Sequence, residues 1–360
     1  MKPVAQSIHE IQEAPSKPVG ASTLYDEHET ITTMLPLLDS YGRTHNYLRI
    51  SVTDRCNLRC VYCMPAEGIV TRRKEEILTF DEIVRVADLF ARMGVTKLRI
   101  TGGEPLVRKD LAQLISRLAQ IEGIRTVGMT TNGVLLHDHV EALKNAGLSS
   151  LNISLDTLRR DRFERITLRQ YYDQVFTGIA AAMERGFAAL KLNVVVMNGV
   201  NDDEIVDFVD FIRDTPINVR FIEYMPFKNN QWNPDGFLPF AEMKKRIEAK
   251  YELLPLPSEK HDVAKDFALA GYEGRVSFIT SMSCDFCDRC NRIRLLADGS
   301  LKSCLFYASE ATLRDALRTE ASDTELESII RNAVQQKPLR HPDMIQLSNN
   351  ANSSMIEIGG

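Results

Sequence analysis

A chain of 360 residues with 44% hydrophobic content is long enough for one α/β barrel and an appended domain. Its 44 basic and 49 acidic residues leave a net charge of −5, which excludes a global basic field for nucleic acid or an anionic membrane; any phosphate site must be local. No apolar run reaches the roughly 18 residues of a membrane span and the start lacks the basic-then-apolar layout of a secretory signal, so a cytoplasmic protein is expected.

Residues 1–42 are polar, carry Pro15, Pro18 and Gly20, and read as a flexible N-terminal arm with a short helix near 29–38. From Asn46 onward, strand-like runs at 47–54, 97–101, 126–131, 150–155, 190–197 and 219–225 alternate with amphipathic stretches at 80–93, 109–120, 137–145, 172–185, 202–213 and 240–250. The first of these helices begins with a capping box, Thr79 to Glu82, and stops at Gly94. Alternating units require parallel strands with right-handed crossovers. Because the pattern breaks near residue 250, at Pro255 and Pro257, the expected fold is an incomplete (β/α)6 TIM-like barrel over residues 43–250, with an open doubly wound sheet as the alternative. A separate C-terminal domain is expected over 251–337, with hairpin-like strands at 275–280 and 293–296, a turn at Asp298 and Gly299, and helices at 313–318 and 324–335. The polar stretch 338–360 reads as a mobile tail ending in Gly359 and Gly360.

All seven cysteines fall into two groups, and their odd number and short C-x2-C loops argue for two metal centres in a reducing compartment rather than disulfides. Cys56, Cys60 and Cys63 follow the first strand at C-x3-C-x2-C spacing. Three thiolates can hold three corners of a four-iron cluster, leaving one iron open; a zinc or disulfide knuckle is the bland alternative. Cys284, Cys287, Cys290 and Cys304 by themselves suit a closed four-cysteine site, zinc or iron–sulfur. In either candidate fold, chemistry belongs at the carboxyl ends of the strands. Gly102, Gly103 and Glu104 lie at such an end, as do Thr130, Ser154 and Met225 on later strands, although Gly-Gly-Glu could be an ordinary βα turn and the hydroxyl residues could simply cap their loops. Arg49, Arg99 and Lys191 are cations inside otherwise apolar strands, which must find an anion, an internal salt bridge or solvent.

The run from Arg49 through Cys56, Cys60, Tyr62 and Cys63 resembles the signature of radical S-adenosylmethionine enzymes. More narrowly, residues 42–360 resemble the GTP 3′,8-cyclase family of molybdenum cofactor biosynthesis. The resemblance implies a first [4Fe–4S] cluster on Cys56, Cys60 and Cys63, whose free iron chelates S-adenosylmethionine, with Tyr62, Gly103, Glu104, Ser154 and Met225 as cofactor contacts. It implies a second [4Fe–4S] cluster on Cys287, Cys290 and Cys304, facing the guanine of GTP, with Cys284 outside the family motif. Arg49, Arg99, Thr130, Lys191, Arg292 and Arg294 are the implied GTP contacts, and Gly359 and Gly360 are implied to enter the active site. As partners it implies an electron donor of flavodoxin or ferredoxin type, a downstream cyclic pyranopterin monophosphate synthase and a homodimer. Two other readings stay open: a two-cluster radical enzyme acting on a peptide, and a non-enzymatic zinc or iron–sulfur module.

Overall fold

The computed structural model describes residues 35–259, 261–350 and 353–359. Most of the arm expected at 1–42 lies outside the described residues. Of the helix expected at 29–38, the described part is not helical: Leu38 bridges to Thr44 instead.

The chain alternates strand and helix as follows: β1 (Tyr47–Ser51), α1 (Phe80–Arg92), β2 (Lys97–Thr101), α2 (Leu111–Ala119), β3 (Thr126–Thr131), α3 (Leu136–Asn145), β4 (Ser150–Ser154), α4 (Arg160–Thr167), α5 (Tyr172–Glu184), β5 (Ala189–Val196), α6 (Ile205–Phe211), β6 (Ile217–Glu223) and α7 (Phe240–Glu248). Then come β7 (Leu254–Pro255), β8 (Ala264–Ala268), β9 (Arg275–Ile279), β10 (Arg292–Leu295), β11 (Ser300–Lys302), β12 (Ala311–Thr312), α8 (Arg314–Arg318), α9 (Asp323–Gln335) and α10 (Met344–Asn350). Helix α1 starts where its capping box requires, since Thr79 Oγ1 accepts from Glu82 N–H at 3.2 Å and Glu82 returns the bond at 2.6 Å. It buries the stripe Ile83, Val86, Leu89 and Phe90. Helix α4 has no counterpart among the expected elements. Five of its eight residues are charged and its only apolar side chains are Phe163 and Ile166, so periodicity gives it little signal.

The strands form one sheet in the order β12-β11-β10-β1-β2-β3-β4-β5-β6-β9-β8-β7. The stretches 275–280 and 293–296, expected as a hairpin-like pair in a separate module, do not pair with each other. Instead β9 lies parallel against β6 and β10 parallel against β1, while their antiparallel neighbours are β8 and β11. An unclosed six-strand barrel leaves two open edges, and each accepts one of these strands. The segment 280–291 therefore runs from one end of the eight parallel strands to the other, carrying Cys284, Cys287 and Cys290 with it.

Parallel strands covered on both faces are usually apolar on both. Here one face is apolar, through Leu48, Ile50, Leu98, Ile100, Leu151, Ile153, Val219 and Phe221, all buried against the helices. The other presents polar residues in register: Arg49 is paired with both Arg99 and Arg294, Tyr47 with Lys97 and Arg292, Asn152 with Lys191, and Asn193 with Arg220. In a flat sheet β6 would stand about 19 Å from β2, four strand spacings. Yet Arg220 on β6 feels the charges of Arg99 on β2 and Arg292 on β10, so the sheet curls and the polar face is its inside.

In the stretch read from sequence as a mobile tail, the structure has α10 and buries Leu347, Ile356 and Ile358.

Candidate active site

The loop after β1 holds the first three cysteines and is fastened on two sides. Gly103 N–H donates to Thr53 O and Glu104 N–H to Arg55 O, each at 2.8 Å, which brings the Gly-Gly-Glu turn onto the start of the loop. Only glycine fits at 103, because a Cβ there would stand 2.4 Å from Arg55 O. On the other side, Arg59 N–H and Val61 N–H donate to Thr167 O and Ile166 O at the end of α4. Burial pushes the thiol of Cys56 up to about 11 and also raises Cys60 and Cys63, each further disfavoured by charge on its neighbours. Three partly buried thiols whose charges would repel one another fit a cationic metal centre, which reverses both effects.

Tyr62 and Ser154 line, with Cys60, Asn132 and Asp156, a cavity of about 320 Å³ beside this loop. Tyr62 donates to Asp156 Oδ2 at 2.7 Å while Asp156 Oδ1 accepts from Val195 N–H at 2.8 Å, and burial raises the Asp156 carboxyl to about 6. Glu104 is wholly buried and accepts from Leu106 N–H, Thr131 Oγ1 and Asn132 N–H, so it braces the β2 and β3 ends against each other; burial lifts it to about 7. Met225 packs with Phe227 and Ile358 at the β6 end of the same rim.

Inside the curled sheet the cations gather. Burial, reinforced by Arg220, Arg99 and Lys97, lowers Lys191 to about 8. Burial likewise brings Arg49 and Arg220 to about 10 and holds Arg294 well below its ordinary value, with neighbouring arginines adding to the effect. Burial should raise Tyr47, yet the charges of Arg99, Arg49 and Lys97 outweigh it and bring the phenol to about 7. Arg99 Nε donates to Tyr47 Oη at 2.6 Å. Polar atoms on this face stay buried and unpaired among the described residues: Thr130 Oγ1 and its register partner Asn152 Oδ1, then Asn193 Oδ1 and its partner Arg220 Nε. Such orphans are rare unless a ligand takes them up.

Cys287, Cys290 and Cys304 line a second cleft, about 630 Å³ and partly open to solvent, together with Arg292, Arg294 and Lys337. Burial raises Cys287 to about 11. It raises Cys290 too, but the Lys337 and Arg292 charges outweigh it and bring that thiol to about 7. Cys284 is exposed and does not line the cleft; its carbonyl and N–H are both taken by Thr280. Among the described residues, neither cysteine triad has all three sulfurs within 4.8 Å of one another, the tight grouping being instead Asp285, Cys287 and His341. A single zinc would draw its thiolates to about 3.8 Å from one another, so the wider triads suit multi-iron clusters. His341 is engaged elsewhere, its ring nitrogens facing Pro342 O at 2.6 Å and Ser281 O at 3.0 Å.

The tail ends at the same place. Gly359, at φ +78°, lies against Ser51 and Thr101 at the carboxyl ends of β1 and β2, and Arg294 Nη1 donates to Ile358 O at 3.4 Å. Gly360 lies outside the described residues.

Thus the structure brings Arg49, Arg99, Lys191, Arg292 and Arg294 together, with Thr130 beside them, between two cysteine triads. Sequence reading missed Arg220, Lys97 and Tyr47. Their signal was the same as that of Lys191, a polar residue at an alternate position of an apolar strand.

This curled sheet, with a three-cysteine loop after its first strand, defines a radical S-adenosylmethionine enzyme. The Radical SAM superfamily matches residues 50–212 and the family described as Molybdenum Cofactor Synthesis C matches residues 217–342. The chain is 49% identical over 325 residues to a mitochondrial GTP 3′,8-cyclase of Arabidopsis thaliana, covering 90% of this chain and 83% of that one. It is 46% identical over 304 residues to GTP 3′,8-cyclase of Moorella thermoacetica, covering 84% and 94%. Against molybdenum cofactor biosynthesis protein 1 of Bos taurus, at 49% identity and 89% coverage, it spans 51% of the relative's length. Among solved structures, Streptococcus suis SuiB has the same fold with a TM-score of 0.54 at 14% identity, over 76% of this chain and 65% of that one. The chain belongs to the GTP 3′,8-cyclase family.

Proposed function

We infer that the protein converts GTP to (8S)-3′,8-cyclo-7,8-dihydroguanosine 5′-triphosphate, the first step of molybdenum cofactor biosynthesis. The observation that carries this reading is the buried cationic face between two cysteine triads. Like charges gathered out of water need a polyanion, and a triphosphate supplies one. A peptide substrate would not require such a set of cations.

Residues 43–250 supply the radical site and 251–337 the second cluster. Cys56, Cys60 and Cys63 hold a [4Fe–4S] cluster with one iron left for S-adenosylmethionine, which Tyr62, Gly103, Glu104, Ser154 and Met225 orient. When bound, cluster and cofactor would supply the radical chemistry that abstracts a hydrogen atom from the ribose of GTP. Arg49, Arg99, Lys191, Arg220, Arg292 and Arg294 hold the triphosphate and Thr130 the nucleoside. Cys287, Cys290 and Cys304 would hold a second cluster, and the cleft they share with Arg292 and Arg294 would seat the guanine of the nucleotide. Gly359 closes the pocket over β1 and β2, and the reading assigns the tail pair Gly359 and Gly360 to the active site. The same reading calls for an electron donor of flavodoxin or ferredoxin type, a downstream synthase and a homodimer. Seven unpaired cysteines suit a reducing compartment such as the cytoplasm.

The test is anaerobic reconstitution with iron and sulfide, then incubation with S-adenosylmethionine, dithionite and GTP. Release of 5′-deoxyadenosine should depend on GTP and match the cyclised product mole for mole. Release at the same rate without GTP would overturn the assignment.

A further inference from the structure

Outside the cationic face, one buried cation touches a cysteine sulfur directly. Lys337, only 3% exposed, donates from Nζ to Cys290 Sγ at 3.3 Å and to Arg292 O at 2.8 Å. It follows the end of α9, where its own N–H caps Val334 O at 3.0 Å. The next two residues are gripped by Arg43, whose guanidinium donates to Pro338 O at 2.8 Å and Leu339 O at 2.9 Å. The same guanidinium donates to Cys287 O at 2.6 Å and pairs with Asp39 at 2.5 Å. One arginine therefore fixes both the lysine's segment and the loop that carries two of the cysteines. Lys337 is held in register with Cys290 from both sides.

The first triad has different donors. Cys56 Sγ accepts from Leu58 N–H at 3.4 Å and Asn132 Nδ2 at 3.8 Å, both neutral. Hydrogen bonds and positive charge at a ligand sulfur draw electron density from a cluster and make its reduction easier, the more so where water is excluded.

We propose that Lys337 is a positioning residue of the second cluster, whose ammonium, bonded to Cys290 Sγ, raises that cluster's reduction potential. The proposal rests on the reading that Cys287, Cys290 and Cys304 hold a cluster. It sets the two clusters apart electrically: an added electron is favoured at the second, while the first keeps the low potential that reductive cleavage of a sulfonium needs.

The experiment is a potentiometric titration, followed by electron paramagnetic resonance, of the reconstituted holoenzyme and its Lys337→Met and Lys337→Gln variants, with iron counted in each. Wild type should carry about eight irons and titrate in two waves. In Lys337→Met one wave should move to lower potential, in Lys337→Gln the same wave should move less, and the other wave should stay in place. The moving wave should be the one that Cys304→Ser removes. Unmoved waves in a fully loaded Lys337→Gln or Lys337→Met protein would overturn the proposal. If Lys337→Met fails to load, Lys337→Gln decides on the same criterion. A wild-type protein with about four irons and one wave, or a Cys304→Ser variant that keeps both waves, would instead refute the underlying cluster assignment.

Discussion

Gly359 and Ser51 are separated by more than three hundred residues of chain, yet a Cβ added to Gly359 would stand 2.8 Å from the Cβ of Ser51. The contact places the tail at the carboxyl end of the first strand, and its backbone at φ +78° belongs to glycine. Gly359→Ala should therefore lift the tail and lower GTP-dependent turnover about tenfold or more, on the scale of the strain such a residue carries. Iron content should not change. Adding Ser51→Gly should recover part of the activity, and a fully active Gly359→Ala enzyme would show that the tail's position is immaterial.

Arg220 sits among Arg99, Arg292 and Lys191 and has a buried Nε without a partner among the described residues. Removing it relieves repulsion in the empty site but takes one arm from the anion clamp. Arg220→Met should raise the melting temperature of the nucleotide-free protein by a few degrees. It should weaken GTP binding, measured by calorimetry, by about tenfold to a hundredfold, the range of a lost charge-assisted bond. Weaker binding without added stability would mean that the cations do not strain the empty fold.

Asp156 carries a pH signature. Burial raises its carboxyl from 3.8 to about 6, so between those values the folded protein binds the proton more tightly than the unfolded chain does. Its contribution is thus present below about pH 4 and lost as pH rises through 6, a change on the order of 3 kcal/mol. Asp156→Asn keeps an acceptor for Val195 N–H and removes the titration. Anaerobic thermal melts should show the variant gaining on wild type as pH rises from 4 to 6 and holding its lead to 7.5. A constant difference across that range would exclude the shift.

Cys284 and Cys304 divide the second cysteine group. Cys284 is exposed with its backbone tied to Thr280, whereas Cys304 lines the cleft with Cys287 and Cys290. Cys284→Ser should keep about eight irons and full turnover, and Cys304→Ser should lose about four irons. The reverse pattern would move the ligand set by one cysteine.

Local chemistry made much of this legible beforehand. The capping box at Thr79 and Glu82 marked the start of α1, and β2 and β3 fell on the strand-like runs 97–101 and 126–131. Cysteine spacing within a loop is a short-range property, so Cys56, Cys60 and Cys63 were readable as a ligand set. Arg49, Arg99 and Lys191 stood out because a cation in a strand has no local reason to be there.

Whether those cations meet is a long-range matter. Arg220 joins Arg99 only because the sheet curls through four strand spacings, and Arg294 joins Arg49 only because β10 completes an open edge beside β1. Strand pairing across more than two hundred residues leaves no periodicity to read, since edge hydrogen bonds accept any extended segment. By itself the sequence determined the first triad, the strand–helix alternation and the cations on alternate strand positions. Tertiary structure alone decided that segment 280–291 spans the open barrel, that Lys337 reaches Cys290, and that Gly359 returns to the end of the strand from which the first cysteine loop departs.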